Sequence, residues 1–340
     1  MRGMHNDVQP LDQFIQHAHM KLKRNPYNAF LDQTCTPALE KHLQNKLARL
    51  KHPEFCGDAS TWPSLFISTQ AFQTSQYHQR VRLDRIDMAG VRYEVMPIAH
   101  HRLFNLKAIQ PDPERALNDW MVLRALDAPY TASVLWLNEE LWMVDAPSEQ
   151  ATIDPVAARA HGHILSFGLG LGYYVLMADL NPNILSHTVV EQNAHVIELF
   201  QRHIQPQLKL TRPLTLIHAR AQDLFKKEHL AHYDHVFVDI HQSAEDGLAR
   251  MVELLEQTNP IHTSLDFWIE SSCTQVLPSL ILQAKAAQLQ DKALVHPNPL
   301  YQRIHQKIER TLNLEYLNDV AALQACMYNP ELHRRILAAQ

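Results

Sequence analysis

The chain has 340 residues, of which 46% are hydrophobic and 20% charged, with a formal net charge of −5 at pH 7. That balance excludes a disordered or fibrous protein and argues against a nucleic-acid partner, whose phosphates call for an excess of Lys and Arg. At roughly 150 residues per domain the length predicts two domains, each with material for a full core.

The opening stretch, MRGMHNDVQPLDQF, has no apolar segment able to serve as a signal peptide. The cysteines Cys35, Cys56, Cys273 and Cys326 are scattered without a C-x-x-C pair, as expected of reduced thiols in a cytoplasmic protein. Helical spacing of apolar residues predicts helices over 10–24 and 37–51, the second with Pro37 just inside its start. The period then shortens to two. RVRLDRIDMAGVRYEVMPI turns at Gly90 and SVLWLNEELWMVD turns at Asn138, so both are expected to be hairpins. These elements make a small α+β domain over residues 1–150. At its end, Asp145 closes a strand, Pro147 stops the ladder, and Ser148 or Glu149 opens a helix with capping chemistry. The alternative is that Asp145 and Glu149 overhang the segment that follows and meet a substrate.

Over residues 151–275 short apolar strands alternate with amphipathic helices: HILSFG, HTVVE, LTLIH, HVFVDI and LDFWIE, with NAHVIELFQRHI and DGLARMVELLEQ among the intervening helices. Strands that are apolar throughout belong in a parallel sheet covered on both faces, so the fold class expected is α/β, doubly wound and Rossmann-like. The uncharged run 160–178 approaches bilayer length, but its two histidines and four glycines suit a strand, a loop and a helix, and no membrane segment is expected. Residues 276–340 form a helical C-terminal extension whose apolar faces offer a surface for a homodimer. Its last stretch, ELHRRILAAQ, suits a docking helix better than a membrane-binding one.

Three of the chain's 8 glycines, Gly168, Gly170 and Gly172, stand within five residues where the first strand of this region should give way to a helix. Glycine there permits positive φ and close approach of a ligand to the backbone, although a tight turn alone would also use it. The next strand ends in Glu191, about 20 residues on, where nucleotide-binding α/β proteins place the carboxylate that receives ribose hydroxyls. A dinucleotide fingerprint would need glycine at position 173, and Tyr173 stands there. The pattern ILSFGLGLGYY, followed by TVVE, IHARAQDLF and YDHVFVDI, resembles the class I S-adenosylmethionine-dependent methyltransferases, nearest the spermidine-synthase-like branch. The resemblance covers residues 155–275.

The resemblance implies S-adenosyl-L-methionine as cofactor and methyl transfer to a small-molecule acceptor. It assigns Gly168, Gly170 and Gly172 to the loop beside the methionine part, Glu191 to the ribose, and Gln192 and Asn193 to the adenine border. Where the family shows Gly-Asp-Ala this chain has Ala219-Arg220-Ala221, so adenine contact passes to backbone groups, to Gln222 or to Asp223. The fourth strand delivers Asp239 and His241 to the sheet end facing the sulfonium, either being able to serve as base. Tyr173 or Tyr174 would cover the methionine end. Polyamine synthases carry a D-S-S-D-P segment where this chain has DIHQS. Aminopropyl transfer therefore stands as an alternative, beside a non-catalytic protein that keeps the cofactor fold. No metal site is expected: there is no H-E-x-x-H, and the pairs His17/His19 and His161/His163, like His229, His232 and His235, lack ligands at the right spacing.

Overall fold

The computed structural model describes residues 11, 13–15, 25–112, 115, 117–258 and 264–340. The expected helix over 10–24 and the pair His17/His19 lie largely or wholly outside the described residues, though Phe14 and Ile15 are buried in the core shared with the C-terminal helices. The helix expected over 37–51 runs Pro37–Arg49, with Pro37 in its first turn, where a missing N–H costs nothing.

Strands β1 (Phe66–Ile67), β2 (Ile86–Met88), β3 (Val91–Ile98), β4 (Phe104–Asn105), β5 (Leu123–Leu126), β6 (Tyr130–Leu137) and β7 (Glu140–Val144) occupy the first half. They form a small sheet in the order β1-β5-β4 and a four-stranded antiparallel sheet in the order β2-β3-β6-β7. Both expected hairpins are present, turning at 89–90 and 138–139. At 138–139 both turn residues have positive φ, Asn138 at 49° and Glu139 at 65°, the twist that a two-residue hairpin requires.

The second half holds β8 (Gly162–Phe167), β9 (Ile184–Glu191), β10 (Leu214–His218), β11 (His235–Val238) and β12 (Ser264–Phe267). All pair in parallel, in the order β10-β9-β8-β11-β12. This is a doubly wound, Rossmann-like sheet, and its winding reverses between β8 and β11, the place where such sheets open a ligand crevice beyond their carboxyl ends. Ile164, Leu165, Phe167, Val236, Phe237 and Val238 are all buried, as two covered faces demand.

One face packs against helices Pro147–Arg159 and Tyr173–Leu180 and against the antiparallel sheet, whose Tyr93 and Leu135 share that core. The other packs against Ala244–Leu255 and the C-terminal helices. Two helix expectations are corrected in detail, and the C-terminal extension resolves into separate helices. The expected helix NAHVIELFQRHI is not a single α-helix: Ala194–Leu199 is α-helical and Phe200–Ile204 forms a π turn. The stretch 299–327 is two helices, Pro299–Thr311 and Val320–Met327, because Asp319 caps the second through the N–H of Ala322. The helix after Asp145 starts at Pro147 behind Ala146, so neither Ser148 nor Glu149 caps it. Among the described residues no helix is long and apolar enough to cross a membrane.

Candidate active site

The carboxyl ends of β8, β9 and β11 converge on a cavity of about 640 Å³, within the range that holds small-molecule ligands. The turn after β8 contributes Gly168 and Gly170, the end of β9 contributes Glu191 and Gln192, and the segment after β11 contributes Asp239 and His241. Glu149, Tyr173, Tyr174 and Gln222, also expected, line it as well.

Each of the three glycines is required by the fold itself. Gly168 has φ +97°, and a Cβ on it would stand 1.9 Å from the backbone oxygen of Asp239. Gly170 has φ +52° and lies under the thioether of Met143, to which a Cβ would come within 2.5 Å. Gly172 has φ +74°, opens the helix Tyr173–Leu180, and backs onto Phe200 of the π turn. It does not line the cavity, so its role is the seating of that helix. The carbonyls of the loop are also held: Tyr77 donates its hydroxyl to Leu171 O at 2.6 Å, and Tyr93 donates to Gly170 O at 3.4 Å. The loop is thereby clamped by the first half of the chain before any ligand arrives.

Glu191 is tied into the same unit. Its Oε2 accepts the N–H of Leu169 at 3.1 Å and its Oε1 accepts that of Asn193 at 2.8 Å. Burial raises its pKa against the lowering effect of those amides. A carboxylate has about four acceptor positions, so two remain for hydroxyl donors. Asn193 caps the next helix through the N–H groups of His195 and Val196.

The cavity is rich in desolvated acid. Burial pushes Asp239 up to about 7, with the charge of Glu191 adding to it. Burial likewise raises Glu149 well above the usual carboxylate range, helped by the charges of Asp239 and Asp145. Among the described residues neither Glu149 nor Asp239 forms an ion pair; Arg220 and Arg250 reach the rim but pair with Asp223 and Glu253. His241 is kept neutral by burial, packs against Trp268 at 5.3 Å between ring centroids, and has Cys273 Sγ 3.5 Å from its Nε2. Burial pushes that thiol up to about 12, so it is no nucleophile. Gly247 leaves room for the pair: a Cβ there would come within 2.5 Å of Cys273 Sγ and 2.7 Å of the His241 ring.

Besides Gly172, three expected residues stand outside the lining: Asn193, Asp223 and Asp145. Asp223 is exposed and paired with Arg220 at 2.8 Å, outside the lining. Asp145 is buried behind the wall, where its Oδ2 lies 2.5 Å from His78 Nε2 and accepts the Tyr130 hydroxyl at 3.1 Å. Tyr173 lines the cavity but donates its hydroxyl to Asp154 at 2.6 Å. The sequence reading missed Met143, Tyr77 and Tyr93, which have no local signature, and Trp268. The last was discoverable, since it directly follows a strand at the ligand end of the sheet.

No family model and no curated protein matches the sequence. Among solved structures, the chain is similar to a Streptococcus mutans protein described as a SAM-dependent methyltransferase, at 18% identity over 39% of this chain and 37% of that one, TM-score 0.28. It is also similar to spermidine synthase from Thermotoga maritima, at 11% identity over 38% and 47%, TM-score 0.27. Shikimate dehydrogenase from Mycobacterium tuberculosis is similar at 16% identity over 52% and 61%, TM-score 0.21. The chain thus spans less than two thirds of the length of each. The fold assignment rests on strand order and register, and the chemistry has to be argued from the cavity.

Proposed function

We propose that the chain is an S-adenosylmethionine-dependent methyltransferase acting on a small-molecule acceptor. The observation that carries this reading is the position of Glu191 and Asp239, two desolvated carboxyls without cationic partners among the described residues, on either side of the glycine loop at the switch point of a doubly wound sheet. Such acids favour a ligand that brings both hydroxyl donors and positive charge, as a nucleoside sulfonium does. When bound, that cofactor supplies an activated methyl group. Glu191 would hold the ribose hydroxyls on its free acceptor positions, and Asp239 would face the cationic end. His241, whose pKa burial lowers, would take the proton that the acceptor loses. The cavity walls do the rest by alignment.

Aminopropyl transfer is the second reading, favoured by Glu149 beside Asp239, because paired acids also suit an amine substrate. Calorimetric titration with S-adenosylmethionine, its demethylated product, its decarboxylated analogue and NAD separates the readings. Micromolar binding of the first two is the expected result. Preference for the decarboxylated analogue moves the assignment to aminopropyl transfer, and no binding of any sulfonium overturns both.

A further inference from the structure

The cofactor reading leaves one acid of the cavity without a task. Glu191 accepts the amides of Leu169 and Asn193 and, in that reading, the ribose hydroxyls, while Asp239 faces the cationic end of the cofactor. Glu149, in the first turn of the helix Pro147–Arg159, is left over. The residue is only 9% exposed, yet neither of its carboxyl oxygens is sealed from the cavity. Its carboxyl forms no hydrogen bond and no ion pair among the described residues.

The charges that act on it are negative. Asp239 after β11 and Asp145 at the end of β7 both raise its carboxyl further, beyond the effect of burial. Asp145 has its own partner in His78, and Tyr173 of the next helix gives its hydroxyl to Asp154. His241, after β11, is kept neutral by burial. The cations at the rim, Arg220 and Arg250, are engaged by Asp223 and Glu253. A desolvated acid among like charges gains most from a hydrogen-bond donor that also carries positive charge, which an ammonium supplies and a hydroxyl does not.

Around this acid the walls are apolar. Ile153 follows it by four residues, on the same face of the helix and in the same cavity. Leu135, Leu137 and Met143 enter from the antiparallel sheet, where Leu135 stands opposite Met143. Trp268 lines the cavity too, its indole N–H held by Thr152 Oγ1 at 3.0 Å. A second ammonium among these side chains would lose its hydration and find no partner.

We propose that the acceptor is a monoamine with a compact apolar body, its nitrogen against Glu149 and its body over Ile153, Leu135 and Trp268. The inference rests on the cofactor reading for the task it gives Asp239, and it sets the acceptor apart from the diamines that two free acids would take.

The test titrates the full chain by calorimetry, without cofactor, with hexylamine, hexanol and 1,6-diaminohexane. The titrations are repeated on Asp239→Asn, in which position 239 can no longer pair with an ammonium, and on Glu149→Gln, with melting curves to confirm folding. Hexylamine is expected to bind the original chain and Asp239→Asn at least tenfold more tightly than hexanol, and to bind Asp239→Asn at least tenfold more tightly than the diamine does. Glu149→Gln should weaken hexylamine at least tenfold. Because burial keeps a proton on Glu149, hexylamine binding at pH 6 should release a proton to the buffer, a readout that needs no variant. Absence of hexylamine binding, hexanol binding as tightly, the diamine binding Asp239→Asn as tightly, binding without proton release, or undiminished binding by folded Glu149→Gln overturns the proposal. Hexylamine binding by a chain that takes no sulfonium leaves the amine pocket standing and overturns the cofactor reading, whereas sulfonium binding without hexylamine binding overturns this inference alone.

Discussion

The Oε2 of Glu191 accepts the backbone N–H of Leu169 across 22 positions of the chain, so the acid at the end of one strand and the glycine loop at the end of its neighbour are a single hydrogen-bonded unit. Glu191→Ala removes that bond and the one to Asn193 as well as the proposed ribose acceptor. It should lower S-adenosylmethionine affinity by two orders of magnitude or more and cost about 1–3 kcal/mol of stability. Calorimetry and urea denaturation measure the two effects separately. A loss of affinity with stability unchanged would show that the loop does not need the acid.

Gly170 and Gly168 should respond differently to alanine. At Gly170 the left-handed backbone costs about 1–2 kcal/mol, and the remaining conflict is with the flexible end of Met143. Gly170→Ala should therefore be milder in a Met143→Ala background, with a coupling of about 1 kcal/mol in a double-mutant cycle. At Gly168 the obstacle is the backbone oxygen of Asp239, and no side-chain deletion should rescue Gly168→Ala. Urea midpoints of the four proteins decide the matter.

The raised Asp239 fixes a pH dependence. An unfolded aspartate titrates near pH 4, whereas the folded one titrates at about 7. Between those values the folded state holds the extra proton, so stability falls as pH rises from about 4 to 7 and levels off above. Asp239→Asn should make that slope shallower, the rest belonging to the raised Glu149 and Glu191, and melt about 2–5 °C higher than the original chain at pH 8, with no difference near pH 4. The affinity of the sulfonium relative to its neutral product should rise over pH 6 to 8, because the positive ligand gains most from an ionised Asp239. Melting scans and titrations across this range check both.

Asp145 should behave as a structural acid. Asp145→Ala removes the acceptor of both His78 and Tyr130 and leaves the two with only each other, 3.0 Å apart, on that side, so it should cost about 1–3 kcal/mol. Denaturant unfolding is the measurement, and a change under about 0.5 kcal/mol would mean that the network contributes little.

What the sequence disclosed follows from the range of the signals involved. Periodicity is local, so the two hairpins and the five parallel strands were legible from the residues alone, whereas the strand order and its switch point came only with the structure. The glycine loop and Glu191 were legible because both sit at fixed distances from strand ends. The reason for the glycines was not: their obstructing neighbours, Asp239, Met143 and Phe200, are all remote in sequence. Asp145 illustrates the same limit, since nothing near it announces His78, 67 positions away. Asp223 was offered only as one alternative once Arg220 stood at the family's aspartate position, and it is exposed and paired with that arginine.

The register of the parallel sheet bears on how the chain acquires its shape. Central strand β8 pairs with β11, Ile164 standing opposite His235, so the middle of the sheet closes only after some seventy intervening residues have been gathered. The antiparallel sheet β2-β3-β6-β7, by contrast, contains tight two-residue turns that assemble in microseconds. Folding should therefore be slow and governed by loop closure at the β8–β11 pair, with the hairpins formed early and Tyr77 and Tyr93 waiting as a ready-made dock for the glycine loop.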